Sequence, residues 1–479
     1  MRLQFILLIK EYLKSKPDYH ENLAQTKANA LATGATEDEF YEALRQFTMP
    51  LPATPTSEVV KKKPSDRLKK LVEADIVAHS FVLVVCLIVA GTFYFAPKVT
   101  KLEKSNTQVS HINQQIQNLT PQIYASEIPI DANHVFSFPP SNVTLSISGT
   151  PKKEVIGFFP YWMVDSYDKV NINSLTAINL FGLEVDGAGN IITANNANIP
   201  DPGWIMWNKP ALTNLITKAR RQRLKVLLTL KSFTDNTIEQ LVNSDAAQKT
   251  FISNAIQLIN TKNLDGINID FEYTNIPTTK TIAGFTRLIT NLHDEIKRQM
   301  PKAELTVDTH VTAAATQGLT DVQVIANYVD SMIVMGYDVH TPLGSVGPIA
   351  PMGGTGLNII GLMQSYLEKV PAEKLILGVP YYGYDWQSNN QTAILPYAQL
   401  AQITTTNSLN WDETAQSPWY SYADTNKIKH TVYFENTRSL GIKYDYVNKK
   451  NLQGVGIWAL GYDGLNTDLQ QVLVEKFTK

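Results

Sequence analysis

The chain has 479 residues, of which 44% are hydrophobic and 18% charged, and 42 Lys and Arg side chains oppose 44 Asp and Glu. At roughly 100–200 residues per domain, this length suffices for about two to four domains with sizeable cores. The formal net charge of −2 argues against a protein held on nucleic acid by phosphate neutralisation. The single cysteine, Cys86, excludes an intrachain disulfide framework and a cysteine-rich zinc module.

The first 75 residues show no pattern that points to chemistry. Residues 1–49 are predicted to form a small cytoplasmic module of short amphipathic helices, because Thr36 and Glu39 make a capping box before an apolar stretch. Residues 50–75 are rich in Pro, Ser and Lys, which predicts a basic linker.

An apolar segment follows at 76–96. It has 21 residues with one ionisable side chain, His79, and a helix of that length reaches roughly 30 Å, the thickness of a bilayer core. A buried core helix and a cleaved signal peptide are the alternatives, but 75 residues precede the segment. Six Lys and Arg residues before it oppose three Lys after it, which predicts a cytoplasmic N-terminus. The sequence therefore predicts a single-pass membrane protein whose remaining part is extracytoplasmic.

Residues 97–150 are predicted to form a stalk and tether. The apolar residues of the stalk are spaced like the core positions of a heptad repeat, at Leu102, Val109, Ile112, Ile116 and Leu119. Fewer than three heptads is short for an independent coiled coil, so weak self-association through 102–119 and a solvated single helix both stay open. From Pro121 to Pro151 the composition predicts an extended tether.

From residue 154 onward, eight apolar runs alternate with helical stretches such as Gln248–Asn260 and Thr281–Gln299. The runs are Glu154–Trp162, Leu175–Val185, Lys225–Phe233, Leu264–Tyr273, Ala303–Thr312, Tyr328–Tyr337, Lys374–Gly383 and Gly454–Leu460. Such runs are typical of parallel strands buried on both faces. They predict an α/β fold, a (β/α)8 TIM barrel over 151–479, with a small α+β insertion at about 384–453 between strands seven and eight. A doubly wound sheet is the alternative, but no G-x-G-x-x-G follows the first strand.

The fourth run contains the sequence DGINIDFEY. Because strand side chains alternate between faces, Asn268, Asp270 and Glu272 are predicted to point into the barrel. Two carboxylates there cost several kcal/mol unless they are paired or functional. Close carboxyl groups also separate in pKa, so one can stay ionised while the other donates a proton, as general acid/base work on a glycosidic oxygen requires.

The acidic strand is compatible with two other interpretations. The acidic triplet is compatible with a divalent metal site, for which Asp308 and His310 on the fifth run are the nearest further ligands. It is also compatible with an inward-facing ion-pair network that has only a structural role. No convincing set of His or carboxylate partners recurs on other strand ends, so the acid/base interpretation is preferred.

The segment DGINIDFE resembles the signature strand of glycoside hydrolase family 18, DGxDxDxE, with Asn268 where Asp is commonest. The resemblance continues in MGYD at Met335–Asp338, LGVPYYG at Leu377–Gly383 and GVGIWALGYD at Gly454–Asp463. HTVYFENTRS at His430–Ser439 is most similar to the bacterial branch that includes spore-cortex and cell-wall N-acetylglucosaminidases. In order and spacing these motifs cover nearly all of residues 154–479.

The resemblance implies a role for each matching residue. Glu272 would be the general acid/base, Asp270 would orient and polarise the 2-acetamido group of the substrate, and Tyr337 would hydrogen-bond the acetamido carbonyl. The substrate-binding residues would be Asn268, Met335, Asp338 and Trp458, the last of these at the floor of the sugar pocket. In this family the nucleophile is the acetamido oxygen of the substrate, the reaction retains anomeric configuration, and neither a metal nor an organic cofactor is required.

Three positions depart from the family pattern. Asn268 lacks the charge that the usual Asp shares with Asp270, which predicts a pH profile with fewer interacting groups. The third strand lacks the usual paired glycines at its end, which predicts a bulkier pocket floor. Asp308 and His310 stand where small or proline residues are usual, and either an extra subsite or a mutual pair would account for them.

Together these features predict a membrane-anchored, exported glycosidase that hydrolyses β-linked N-acetylglucosamine polymers. Chitin-type oligosaccharides and peptidoglycan both remain candidate substrates. The alternative is a non-catalytic, chitinase-like sugar receptor or scaffold, but such proteins typically lack the acid/base glutamate, and Glu272 is present. A structural membrane protein that acts through residues 1–49 or the stalk is a third interpretation.

Overall fold

The structure, a computed structural model, describes residues 129–147, 149–195, 197–403 and 408–478. The predicted helical module at 1–49, the linker at 50–75, the membrane span at 76–96 and the self-associating stretch at 102–119 lie outside these residues. Within the described ranges, no helix is both long enough and apolar enough to cross a bilayer.

The strands in the described ranges are β1 (Glu154–Pro160), β2 (Ala177–Glu184), β3 (Lys225–Ser232), β4 (Gly266–Phe271), β5 (Glu304–His310), β6 (Ser331–Met335), β7 (Leu375–Pro380), β8 (Tyr382–Gln387), β9 (Thr392–Pro396), β10 (Asn410–Asp412), β11 (Ser417–Ala423), β12 (Lys429–Phe434) and β13 (Gly454–Trp458). Eight of them form a closed barrel in the order β1-β13-β7-β6-β5-β4-β3-β2. All pairings in the barrel are parallel. The predicted eight-stranded TIM barrel is confirmed.

The helices in the same ranges are α1 (Ala132–Val135), α2 (Pro202–Asn208), α3 (Pro210–Arg221), α4 (Asp235–Val242), α5 (Asp245–Lys262), α6 (Thr279–Gln299), α7 (Val322–Ile325), α8 (Ile359–Leu367), α9 (Tyr397–Ile403), α10 (Thr437–Lys449) and α11 (Asp468–Phe477). Their ends follow local sequence. The Ser244 hydroxyl accepts from the Ala247 amide at the start of α5, and Asn263 ends that helix in the left-handed conformation.

The barrel strands are buried on both faces, as their apolar runs predict. Every residue of β4, β7 and β13 is buried, because one face fills the barrel interior and the other packs under the helices. The strands are shorter than the predicted runs. For example, β1 ends at Pro160, and residues Tyr161–Ser166 form a 3-10 helix.

An insertion lies between β7 and β13, where it is predicted, but its bounds differ. Its five strands form an antiparallel sheet in the order β10-β11-β12-β8-β9, which spans residues 382–434 and carries α9. The predicted insertion also includes α10, yet this helix packs against α11, with the rings of Tyr444 and Phe477 5.3 Å apart. Helix α10 therefore belongs to the outer layer of the barrel.

Residues 129–147, here called the strap, lie against the barrel instead of forming the extended tether predicted for this region. Val135 is fully buried, and its carbonyl oxygen lies close to Gly464 in the loop after β13. The strap then follows α11 in the same direction: the Thr467 hydroxyl donates to the Val143 carbonyl, and the Ser146 amide donates to Gln471. It therefore runs from the carboxyl-end rim of the barrel towards its amino end, where β1 begins.

Candidate active site

A pocket with about 300 Å³ of empty space opens at the carboxyl ends of the barrel strands. That space is partly open to solvent. Its lining residues are Phe158, Asp270, Glu272, Asp308, Met335, Tyr337, Asp338 and Trp458. All of the predicted site residues except Asn268 are among them. The sequence did not predict Phe158, and it left the role of Asp308 open.

The two predicted catalytic carboxyl groups lie at the end of β4. Asp270 and Glu272 are 3% and 5% exposed, respectively. Glu272 follows the last residue of the strand, and its amide donates to the Ser232 carbonyl at 3.0 Å, which continues the pairing with β3. This bond fixes the backbone from which Glu272 reaches the pocket. Both side chains therefore sit in one wall, on adjacent inward-facing positions of a single strand.

Asn268 lies one layer below this wall and does not line the pocket. It is fully buried, and its side-chain amide donates to Asp308 Oδ2 at 2.7 Å and to the Thr229 hydroxyl at 3.3 Å. Its carbonyl oxygen accepts from the Thr306 hydroxyl at 2.6 Å. The inward orientation predicted for Asn268 fits this position, but the predicted contact with substrate does not. Its neighbours make it a support for Asp308.

Burial changes the proton affinities of the pocket side chains. Desolvation raises the pKa of Asp270 to about 7, although Lys231 opposes the shift. Desolvation and the neighbouring Asp270 carboxylate raise the pKa of Asp308 well above its usual value. Desolvation, with the surrounding carboxylates, also raises the pKa of Tyr337, so its hydroxyl stays protonated and can donate. The pocket therefore holds protons at neutral pH that isolated carboxyl groups would have lost.

The MGYD motif forms the part of the pocket beyond the end of β6. Gly336 is required there because a Cβ would lie 2.7 Å from the Gly378 carbonyl oxygen of β7. Oδ1 of Asp338 accepts from the hydroxyls of Tyr382 and Tyr384, at 2.5 Å and 2.6 Å. The sequence prediction missed both tyrosines, although their alternation in YYGYD after β7 is a signal for two side chains on one face of a strand.

The wall opposite β4 is aromatic. Strand β13 is four positions from β4 around the barrel, and the Trp458 side chain at its end is 2% exposed. The Trp458 ring centroid lies 4.6 Å from that of Phe181, at an interplanar angle of 75°, and 5.9 Å from that of Phe158. Edge-to-face contacts of this kind hold an aromatic platform in place. Trp458 thus presents a fixed surface across from the carboxyl groups.

His310 on β5 and Lys231 at the end of β3 are the other positions at which the sequence departs from the family pattern. His310 does not line the pocket; its Nδ1 lies 2.7 Å from the Thr312 hydroxyl, and burial lowers its pKa to about 4. Of the two alternatives left open by the sequence, the mutual pair is not formed: Asp308 accepts from Asn268, and His310 bonds Thr312. Lys231 fills the end of β3, with its Nζ 4.8 Å from the Phe233 ring centroid and 3.7 Å from Glu184. In the described ranges, no group of three or more His, Cys, Asp or Glu side chains could hold a metal ion.

Residues 154–463 match the family model for Glycosyl hydrolases family 18, a match that covers the whole barrel up to the loop after β13. The chain belongs to this family. The family consists of glycoside hydrolases, and its expected acidic strand is the β4 segment that carries Asp270 and Glu272. Family membership therefore agrees with the pocket geometry.

Individual relatives are more distant. The chain is 26% identical to the Cortical fragment-lytic enzyme of Bacillus subtilis over 53% of its own length and 60% of that protein, so it spans less than two thirds of this relative. It is 25% identical to human Di-N-acetylchitobiase over 52% of its own length and 69% of that protein. The spore cortex-lytic enzyme SleL of Bacillus megaterium has a similar fold, with a TM-score of 0.56, 19% identity, and coverage of 71% of this chain and 76% of that one.

Proposed function

We propose that the protein hydrolyses β-linked N-acetylglucosamine polymers with retention of configuration, and that the acetamido group of the substrate is the nucleophile. The observation that carries the proposal is the asymmetry of the pocket. The four carboxyl groups of the lining, Asp270, Glu272, Asp308 and Asp338, come from the consecutive strands β4 and β5 and from the segment just after β6, whereas the opposite wall is formed by Phe158 and Trp458. Retention by a protein nucleophile requires carboxyl groups that flank the scissile bond. The described lining offers them on one side only.

The proposed reaction has two steps. Glu272 donates its proton to the glycosidic oxygen as the bond from C1 to that oxygen breaks, and the acetamido carbonyl oxygen bonds to C1 to give an oxazolinium ion. The Asp270 carboxylate accepts the acetamido N–H, and the Tyr337 hydroxyl donates to the acetamido oxygen. Water then attacks C1, the bond to the acetamido oxygen breaks, and Glu272 takes the proton from the water.

The proposed substrate class follows from the requirement for a 2-acetamido group. It agrees with the names of the two relatives, a cortical fragment-lytic enzyme and a chitobiase. Chitin-type oligosaccharides and peptidoglycan glycan strands both present this group, since both contain N-acetylglucosamine. The Trp458 platform offers a hydrophobic face against which such a ring stacks.

The test compares the full-length protein with Glu272→Gln on chitin oligosaccharides and on peptidoglycan glycan strands. New reducing ends are counted, and the anomer first formed is identified by NMR. Glu373→Gln is the matched control, because Glu373 is exposed and precedes β7, at the end of the barrel away from the pocket. We expect Glu272→Gln to lower turnover by roughly 10²–10⁴, the usual contribution of a positioned acid/base, and the control to leave it unchanged.

A second measurement tests substrate assistance directly. A thiazoline analogue of the oxazolinium ion should inhibit competitively, and a polymer with free amino groups in place of the acetamido groups should not be cleaved. Inversion of configuration would refute the proposal. Oligosaccharide binding without any new reducing ends, from either the wild type or the control, would instead support a sugar-binding scaffold on the same barrel.

We further propose that the segment at 76–96 anchors the barrel to a membrane, with the N-terminus in the cytoplasm and the barrel outside it. The support is its length, its single ionisable residue and the excess of basic residues before it. The protein should then stay in the membrane fraction after alkaline extraction, and deletion of 76–96 should release it. Protease added outside intact cells should digest the barrel. Release of the wild-type chain by alkali would contradict the proposal.

A further inference from the structure

We propose that Asp308 is the proton-sharing partner of Asp270 and replaces the carboxyl group that position 268 lacks. This inference rests on the proposed function, because it concerns the charge of the group that receives the acetamido N–H. Asp308 would act as a positioning residue: it sets the charge of Asp270 and does not itself react. The expectation from the sequence, that Asn268 leaves Asp270 without a carboxyl partner, is thereby reversed.

The strand register places the two groups side by side. Asn268 pairs with Thr306, and Ile269 pairs with Val307, so one further step sets Asp270 level with Asp308. Both positions face inward and both side chains line the pocket. Neighbouring parallel strands are roughly 4.8 Å apart, a separation at which two buried carboxylates repel each other strongly.

Hydrogen bonds determine which oxygen of Asp308 can hold the proton. The Thr306 hydroxyl donates to Asn268 Oδ1, so the Asn268 amide nitrogen is directed towards Asp308 and donates to its Oδ2 at 2.7 Å. Oδ2 is therefore an acceptor. Asp308 Oδ1 is buried and has no hydrogen-bond partner within the described ranges, and the same holds for Asp270 Oδ1. A proton on Asp308 Oδ1 leaves the Asp270 carboxylate to accept the acetamido N–H of the substrate.

Other charged and titratable groups also face this pair. The titratable and charged groups around Asp308 are Lys231 on β3, Asp270 and Glu272 at the end of β4, His310 on β5, and Tyr337 and Asp338 beyond β6. Burial keeps His310 neutral, because its pKa is lowered to about 4, and Tyr337 stays protonated. Lys231 is a cation that favours ionised Asp270. One proton shared by two carboxyl groups beside one cation keeps the net charge of this wall small.

The experiment moves the carboxyl group between the two positions. In Asp308→Asn, the partner of Asp270 is neutral at every pH, so the acidic limb of the kcat profile should stay in place, and the alkaline limb should lose the ionisation of Asp308 and move to higher pH by about one unit or more. In Asn268→Asp, an added carboxylate repels the ionised form of Asp270, and the acidic limb should move to higher pH. The double variant Asn268→Asp/Asp308→Asn carries one partner carboxyl group again and should restore both limbs to near their wild-type positions. Asp294→Asn, on the exposed side of α6, is the control.

A second measurement, the pH dependence of the melting temperature, does not require catalytic activity. The pair binds protons in the folded state that it loses on unfolding, so its contribution to stability should fall as the pH rises from 4 to 8, and the melting temperature of Asp308→Asn should rise relative to that of the wild type over this range. If the wild type cleaves nothing but Asp308→Asn still changes the stability profile, proton sharing stands and the proposed function fails. If Asp308→Asn lowers kcat equally at every pH, moves neither limb of the kcat profile and leaves the stability profile unchanged, the role of Asp308 is structural only and the inference is overturned.

Discussion

The hydroxyl of Tyr384, on the first strand of the insertion, lies 2.6 Å from Oδ1 of Asp338, at the end of the sixth barrel strand. Tyr382 donates to the same oxygen at 2.5 Å. The insertion is therefore bonded to a residue of the pocket lining. Because the carboxyl group is buried, these two hydrogen bonds fix its position in the pocket wall.

We expect Tyr382→Phe/Tyr384→Phe to destabilise the protein and to weaken substrate binding together. Each bond to a buried charged group contributes about 1.5–3 kcal/mol, and their loss leaves the Asp338 carboxylate poorly solvated. Urea unfolding and KM for a chitin oligosaccharide measure the two effects. Tyr433→Phe, in the same sheet with its ring stacked on Trp419, is the control. A double variant with unchanged KM would show that Asp338 is held in place by other contacts.

The ion pair between Lys443 and Glu435 should be critical for stability. The two groups are 2.7 Å apart and their side chains are 0% and 1% exposed. Lys443→Met leaves a buried, unpaired carboxyl group, so we expect a loss of about 3–5 kcal/mol in the free energy of unfolding. The double variant Lys443→Met/Glu435→Gln removes that charge as well and should recover part of the loss. Equal losses in the single and double variants would show that repacking, not charge, sets the cost.

Asp463 should make stability depend on pH. Desolvation raises the pKa of this buried carboxyl group to about 7, although Gln470 donates to it at 2.9 Å. Since the folded pKa lies above the unfolded value, its contribution to stability is full below about pH 4 and is lost as the pH rises to 7. Asp463→Asn does not titrate. Its free energy of unfolding should therefore improve relative to the wild type between pH 4.5 and 7.5, by an amount on the order of 4 kcal/mol at most.

Urea titrations of both proteins at the two pH values measure this change. Asp445→Asn, at an exposed ion pair with Lys476 on the outside of the barrel, is a suitable control. A constant difference between Asp463→Asn and the wild type at both pH values would mean that Asp463 is ionised in the folded protein.

Trp458→Phe should weaken binding more than it slows chemistry. Phe keeps an aromatic ring against Phe181 but offers a smaller platform to the sugar. We expect KM for chitin oligosaccharides to rise several-fold, with kcat changed less, because the acid/base on β4 is untouched. Isothermal titration with the Glu272→Gln background separates binding from turnover. A fall in kcat with constant KM would instead place Trp458 among the groups that act in the transition state.

The sequence could predict the face of each strand but not the depth of each side chain. The alternation of β4 correctly placed Asn268, Asp270 and Glu272 inside the barrel. It could not show that Asn268 is a full layer below the pocket, because depth depends on where the neighbouring strands end. The partner of Asp308 was left open for the same reason. Its bond to Asn268 follows from the register between β4 and β5, and a single sequence does not contain that register.

The seventh apolar run contains parts of two different strands. The run reads as one strand through Gly383, yet β7 ends at Pro380 and Tyr382 begins the sheet of the insertion. Both segments are buried and rich in apolar residues, so hydrophobicity alone does not divide them. The hydroxyls of Tyr382 and Tyr384 were missed because their partner, Asp338, is distant in sequence and close only after the insertion folds back on the barrel.

The strap also determines how the barrel bears load. A force applied to the chain at Pro129 acts first on the packing of Val135 beside the loop after β13, and only then on the hydrogen bonds between the strap and α11. Strand β1 lies beyond these contacts, so tension on the N-terminal side is resisted before it reaches the catalytic barrel. The contacts of the strap thus protect the barrel strands from tension on the N-terminal side of the chain.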